Sequence, residues 1–130
     1  MMRTMATVLF LAAASPVPAQ ALNCDGTTPE MNQCVFEAYD AADRELNRVW
    51  KEVLSKIKPD DYLPADDARQ WKEHLIAAQR AWVTFKEEDC QGAVSYEYFG
   101  GTGATFAVGY CLYAHTVART NNLKERYLER

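Results

Sequence analysis

The sequence predicts an all-α fold, an up-down-up three-helix bundle stapled by disulfides. Three observations predict it. Apolar residues recur at steps of three and four through three long segments, only two short tracts (Lys58 to Pro64 and Gly100 to Gly103) interrupt them, and four cysteines fall in two sequence-local pairs. Short connections between long amphipathic helices make sequence neighbours antiparallel. No stretch alternates apolar and polar residues for long, so strands have no support.

The chain opens with what reads as an export signal. Arg3 supplies a positive n-region, Thr7 to Ala14 a short apolar run, and Ala19-Gln20-Ala21 a small-residue cleavage site, which predicts residues 1–21 as a signal peptide cut after Ala21. The run is well short of the roughly 20 residues that a membrane span needs. Residues 22–130 are then one domain without a membrane span, placed in the periplasm or secreted. An exported chain keeps its disulfides, and Cys24, Cys34, Cys90 and Cys111 include neither a CxxC nor a Cys/His ligand spacing. The cysteines are therefore expected to be structural, with no metal site and no cofactor.

The first helix follows Thr28 and Pro29, which suit a cap and a first helical position, and carries Met31, Val35, Ala38, Ala42, Leu46, Val49, Val53 and Ile57 on one stripe. The second starts after Pro64, with Asp66 or Asp67 as cap. Trp71, Leu75, Ala78, Trp82 and Phe85 step along one face, and Trp50, Trp71 and Trp82 are expected in the core. The third starts near Ala104 and carries Phe106, Tyr110, Tyr113, Val117, Leu123 and Tyr127.

Cys90 and Cys111 lie at nearly equal distances on either side of the turn around Gly101, so they can face each other across the second and third helices. Cys24 would then pair with Cys34. Four cysteines allow three connectivities, and the alternatives crosslink the first helix to the hairpin of the other two. A polar layer is also expected at mid-height, where Asp43 pairs with one or both of Arg80 and Arg119, with Asn47, Gln79 and Thr116 nearby.

Charge narrows the function. The chain holds 14 Lys and Arg against 18 Asp and Glu, a net charge of −4, which disfavours nucleic acid as a partner. Residues 22–43 and 87–118 carry nine carboxylates and no Lys or Arg, and the bundle topology puts both stretches at one end. A cationic partner would approach that pole first. Its expected contacts are Glu87, Glu88, Glu97, Tyr98, Gly100, Gly101, Thr102 and Gly103, with Tyr96 and Phe99 adding apolar area. Catalysis is not expected: no HExxH, nucleophile elbow or triad grouping is present, and His74 and His115 fall on the order of 20 Å apart along the bundle.

Four blocks carry a resemblance. Met31-Asn32-Gln33-Cys34, Ala42-Asp43-Arg44-Glu45-Leu46-Asn47, Ala78-Gln79-Arg80-Ala81-Trp82 through Asp89-Cys90, and Cys111-Leu112 with Thr116, Arg119 and Leu123 resemble the LprI-type lysozyme inhibitor domain in order and spacing. The chain departs from the family in Lys86-Glu87-Glu88, where an arginine and an aspartate more often precede the cysteine. The resemblance implies a secreted or periplasmic bacterial protein that inhibits a lysozyme, and the acidic pole on its own suits a lysozyme or another cationic protein. The alternative is an envelope-stress or protein-binding adaptor that uses the same pole without inhibiting lysozyme.

Overall fold

The computed structural model describes residues 22–129, so the expected signal peptide lies outside the described residues. Three long helices form the domain: α1 (Thr28–Lys56), α2 (Ala65–Glu87) and α3 (Ala104–Tyr127). They run up, down and up. After α2 the chain widens into a π-helical stretch, Glu88–Val94, and then makes a single α-helical turn, Ser95–Glu97, before the loop that leads into α3.

Capping differs from expectation by one residue at α1. Thr27, not Thr28, is the cap, and the Glu30 carboxylate accepts hydrogen bonds from the Thr27 N–H at 2.7 Å and from its hydroxyl at 2.8 Å. These two donors, the backbone N–H first, hold the Glu30 carboxyl below its ordinary range. At α2, Pro64 occupies the cap, while Asp66 and Asp67 sit in the first turn, where they complement the helix dipole.

The most extensive packing is between α1 and α3. Gly109 makes it possible: a Cβ there would stand 2.7 Å from Val35 Cγ1 and 3.1 Å from the Phe36 ring. Leu46, Val49, Val53 and Ile57 of α1 and its exit, Leu75 of α2 and Leu123 of α3 form the buried core towards the other end. Each such fully buried aliphatic side chain contributes about 1.5–3 kcal/mol. Thr116 and Thr120 of α3 are also buried, and both hydroxyls donate to carbonyls one turn back, at Leu112 and Thr116.

The second helix corrects the sequence reading. Trp71 is 44% exposed and Phe85 is 55% exposed, and Ala78 faces solvent. The inward line runs instead through Ala68, Leu75, Gln79, Trp82, Lys86 and Cys90, a helical progression that includes two polar residues. Lys86 is buried; its ammonium donates to the Tyr39 hydroxyl at 3.0 Å and lies 5.2 Å and 5.0 Å from the centres of the Tyr39 and Trp82 rings. Ring faces and a hydroxyl thus replace a carboxylate as its partners.

The polar layer is also divided. Arg119 donates from Nε to Gln79 Oε1 at 2.8 Å and from Nη1 to Asn122 Oδ1 at 3.0 Å. Asp43 accepts from Asn47 on its own helix, Arg80 is exposed, and among the described residues neither arginine forms a salt bridge with Asp43. The reason is lateral: the inward line of α2 places Gln79 towards α3 and turns the next residue, Arg80, to solvent. Arg119 Nη2 is buried without a partner among the described residues, and burial lowers the guanidinium pKa from its ordinary value, assisted by the charge of Arg126.

Candidate functional site

The two disulfides form as Cys24–Cys34 and Cys90–Cys111, with Cα separations of 5.6 Å and 5.5 Å. Both sit at the loop end of the bundle. The first pins the extended N-terminal segment to the start of α1, and the second joins the π-helical end of α2 to the second turn of α3. Between them they fix the surface from which the loop rises.

The loop itself is built from local hydrogen bonds. Phe99 N–H donates to Tyr96 O at 3.0 Å, Gly101 N–H to Tyr98 O at 2.8 Å and Ala104 N–H to Gly101 O at 3.0 Å. Two successive residues, Phe99 and Gly100, take left-handed backbone angles, φ 50° and 70°. Glycine does so freely, but a phenylalanine there costs of order 1 kcal/mol or more. The conformation leaves the Phe99 side chain 95% exposed, with Tyr96 at 82% beside it.

The eight contact residues expected from sequence are all exposed: Glu87, Glu88, Glu97, Tyr98, Gly100, Gly101, Thr102 and Gly103. Thr28 and Asn32 of α1 line the same depression as Glu97, Tyr98, Thr102 and Gly103, so the start of α1 and the loop share one end of the molecule. Phe99 is the residue whose prominence the sequence reading understated. An aromatic directly before Gly-Gly was the available signal.

A further cluster lies below the loop. His115 Nε2 is 2.7 Å from Asp89 Oδ2, the Phe85 ring packs edge-on to the imidazole, and Cys90 and Cys111 complete a group whose ligand-type atoms all lie within 4.8 Å of one another. The two sulfurs are joined to each other and carry no thiolate charge, which leaves one imidazole and one carboxylate as donors, fewer than a structural metal site uses. The same bond removes a thiol nucleophile from beside the histidine. His74, the other histidine, is exposed on α2.

Among the described residues no helix is long and apolar enough to cross a membrane. A family profile described as lysozyme inhibitor LprI matches residues 20–123. An uncharacterised protein of Rhizobium meliloti (strain 1021) is 32% identical to the chain over 133 residues, covering 95% of this chain and 95% of the relative. No solved structure matches.

Proposed function

The chain belongs to the LprI lysozyme inhibitor family, and from that premise we propose that it acts outside the cytoplasm by binding a cationic lysozyme through its acidic, disulfide-braced end. One observation carries the reading: the loop holds Phe99 in a left-handed backbone conformation with its ring 95% exposed. A folded domain gains no stability from that arrangement, whereas a protein partner with an apolar pocket gains an anchor already in position. The two disulfides support an oxidising location for the chain.

The carboxylates Glu87, Glu88 and Glu97 speed encounter with a positively charged partner, and the Tyr98–Gly103 segment makes the close contact, with Phe99 leading. Long-range attraction sets the association rate, and desolvated apolar contact sets the residence time. Inhibition follows when the loop occupies or overhangs the entrance of the substrate cleft. No catalytic role is assigned to the Asp89–His115 pair.

The test is lysis of bacterial cell walls by a basic lysozyme, titrated with the oxidised protein at low and physiological salt. Near-stoichiometric inhibition at physiological salt is expected, weakened at least about tenfold by Phe99→Ser and Thr102→Arg with unchanged melting temperature. Full inhibition by Phe99→Ser would remove the loop from the mechanism. Absence of inhibition by the wild type would redirect the acidic end to another cationic protein.

A further inference from the structure

Beside the loop lies a cleft of about 480 Å³, walled by the first turns of α1, the Val94–Tyr98 segment and the first two turns of α3. Its walls are mostly apolar and include Met31, Tyr98, Phe106 and Tyr110, and the rings of Phe106 and Tyr110 lie nearly parallel, 16° apart with centres separated by 6.4 Å. Among the described residues, Glu97 is the sole charged one in the lining. The nearest sequence on every side, residues 22–43 and 87–118, holds no Lys or Arg that could neutralise it. Asn32 also lines the cleft, and its Oδ1 is sealed from solvent without a hydrogen-bond donor among the described residues.

These features describe a complement. Parallel aromatic faces take a flat cation, a lone carboxylate takes a positive charge, and an unpartnered amide oxygen takes an N–H once Asn32 rotates to turn it towards the cleft. A guanidinium satisfies all three at once, because it is planar, permanently charged and carries five donors. An ammonium is compact and more strongly hydrated, and a neutral sugar leaves Glu97 without a counter-charge.

We propose that this cleft receives an arginine side chain presented by the partner protein. The identity of that partner as a lysozyme rests on the reading above; the chemistry of the cleft does not. The interface then works in both directions, with Phe99 projecting towards the partner and a partner arginine entering behind it.

The experiment is a titration of the isotopically labelled, oxidised protein with N-acetyl-arginine amide, followed by backbone amide shifts, with N-acetyl-citrulline amide as a neutral probe of the same shape. Saturable shifts at Asn32, Glu97, Tyr98 and Tyr110 are expected, at least about tenfold weaker in affinity with citrulline and in Glu97→Gln. Ala107→Phe, which fills the cleft, is expected to abolish them, and Glu97→Gln at an exposed position keeps the test valid if the filled variant folds poorly. Equal binding of the two amides, shifts scattered over the acidic surface, or no saturable shift would overturn the assignment. Lysozyme titrations separate the two readings. Arginine amide binding with no inhibition of lysozyme keeps the cleft and removes the lysozyme reading, and undiminished inhibition by a folded Ala107→Phe does the reverse.

Discussion

His115 Nε2 sits 2.7 Å from Asp89 Oδ2, so α3 is tied to the π-helical end of α2 one helical turn from the Cys90–Cys111 bridge. The pair is half-buried and braced by Phe85. A hydrogen bond in this setting contributes about 0.5–1.5 kcal/mol. The expected outcome of a double-mutant cycle with Asp89→Ala and His115→Ala, read from urea denaturation of the oxidised protein, is a coupling of about 1 kcal/mol. Strict additivity would show that the contact carries no stability.

Gly109 lets α1 and α3 approach. Gly109→Ala gains about 1 kcal/mol of helix propensity, but its methyl meets Val35 Cγ1 at 2.7 Å, and overpacking of a tight contact costs about 1–3 kcal/mol. The balance is expected to lower the urea midpoint, and Gly109→Val to lower it further. A stabilised alanine variant would mean that the helices separate easily.

Glu45 provides a pH signature. A hydrogen bond from Arg48, offset in part by burial and reinforced by Lys124 of α3 at 3.1 Å, lowers its carboxyl from 4.5 to about 2. The folded value lies below the unfolded one, so the contribution is complete above about pH 4.5, fades as pH falls, and is gone below about pH 2. Because the side chain is 41% exposed, solvent screening keeps the contribution within about 1 kcal/mol. The melting-temperature gap between the wild type and Glu45→Gln should be present at pH 7 and closed near pH 2. A gap that does not change with pH would assign the effect to packing.

The two bridges should differ modestly. Cys90–Cys111 closes a span of 21 residues and Cys24–Cys34 one of 10, and chain-entropy arguments give each about 2–4 kcal/mol, with the longer loop ahead by less than about 1 kcal/mol. Paired Cys→Ser variants compared by urea denaturation test the order. Only the Cys90–Cys111 pair ties the π-helical stretch after α2 to α3, so its removal is also expected to reduce inhibition more.

What could be read from the sequence was what local spacing determines. The start of α3 at Ala104 and the pairing of Cys90 with Cys111 follow from where the glycine tract falls. The cap at Thr27 was legible too, since Glu30 lies three residues on, yet the adjacent Thr-Pro drew the boundary one residue late. The rotation of α2 was not legible. Hydropathy points Trp71 and Phe85 inwards, but the helix turns Lys86 inwards because Tyr39, distant in sequence, offers it a hydroxyl and a ring face. That rotation also undid the expected Asp43–Arg80 contact. The π-helical stretch Glu88–Val94 has no composition signal, and neither the Asp89–His115 pair nor the cleft at Asn32 could be seen without knowing how α3 lies against it.

Lys86 has a consequence of its own. Its amine is enclosed by Tyr39 and Trp82, so amine-acylating reagents that label the surface lysines of the native protein will pass it over. The same lysine becomes reactive once α2 swings away from α1. The rate at which Lys86 is labelled therefore times the breathing of that one helix, a built-in clock for how firmly the loop end is held.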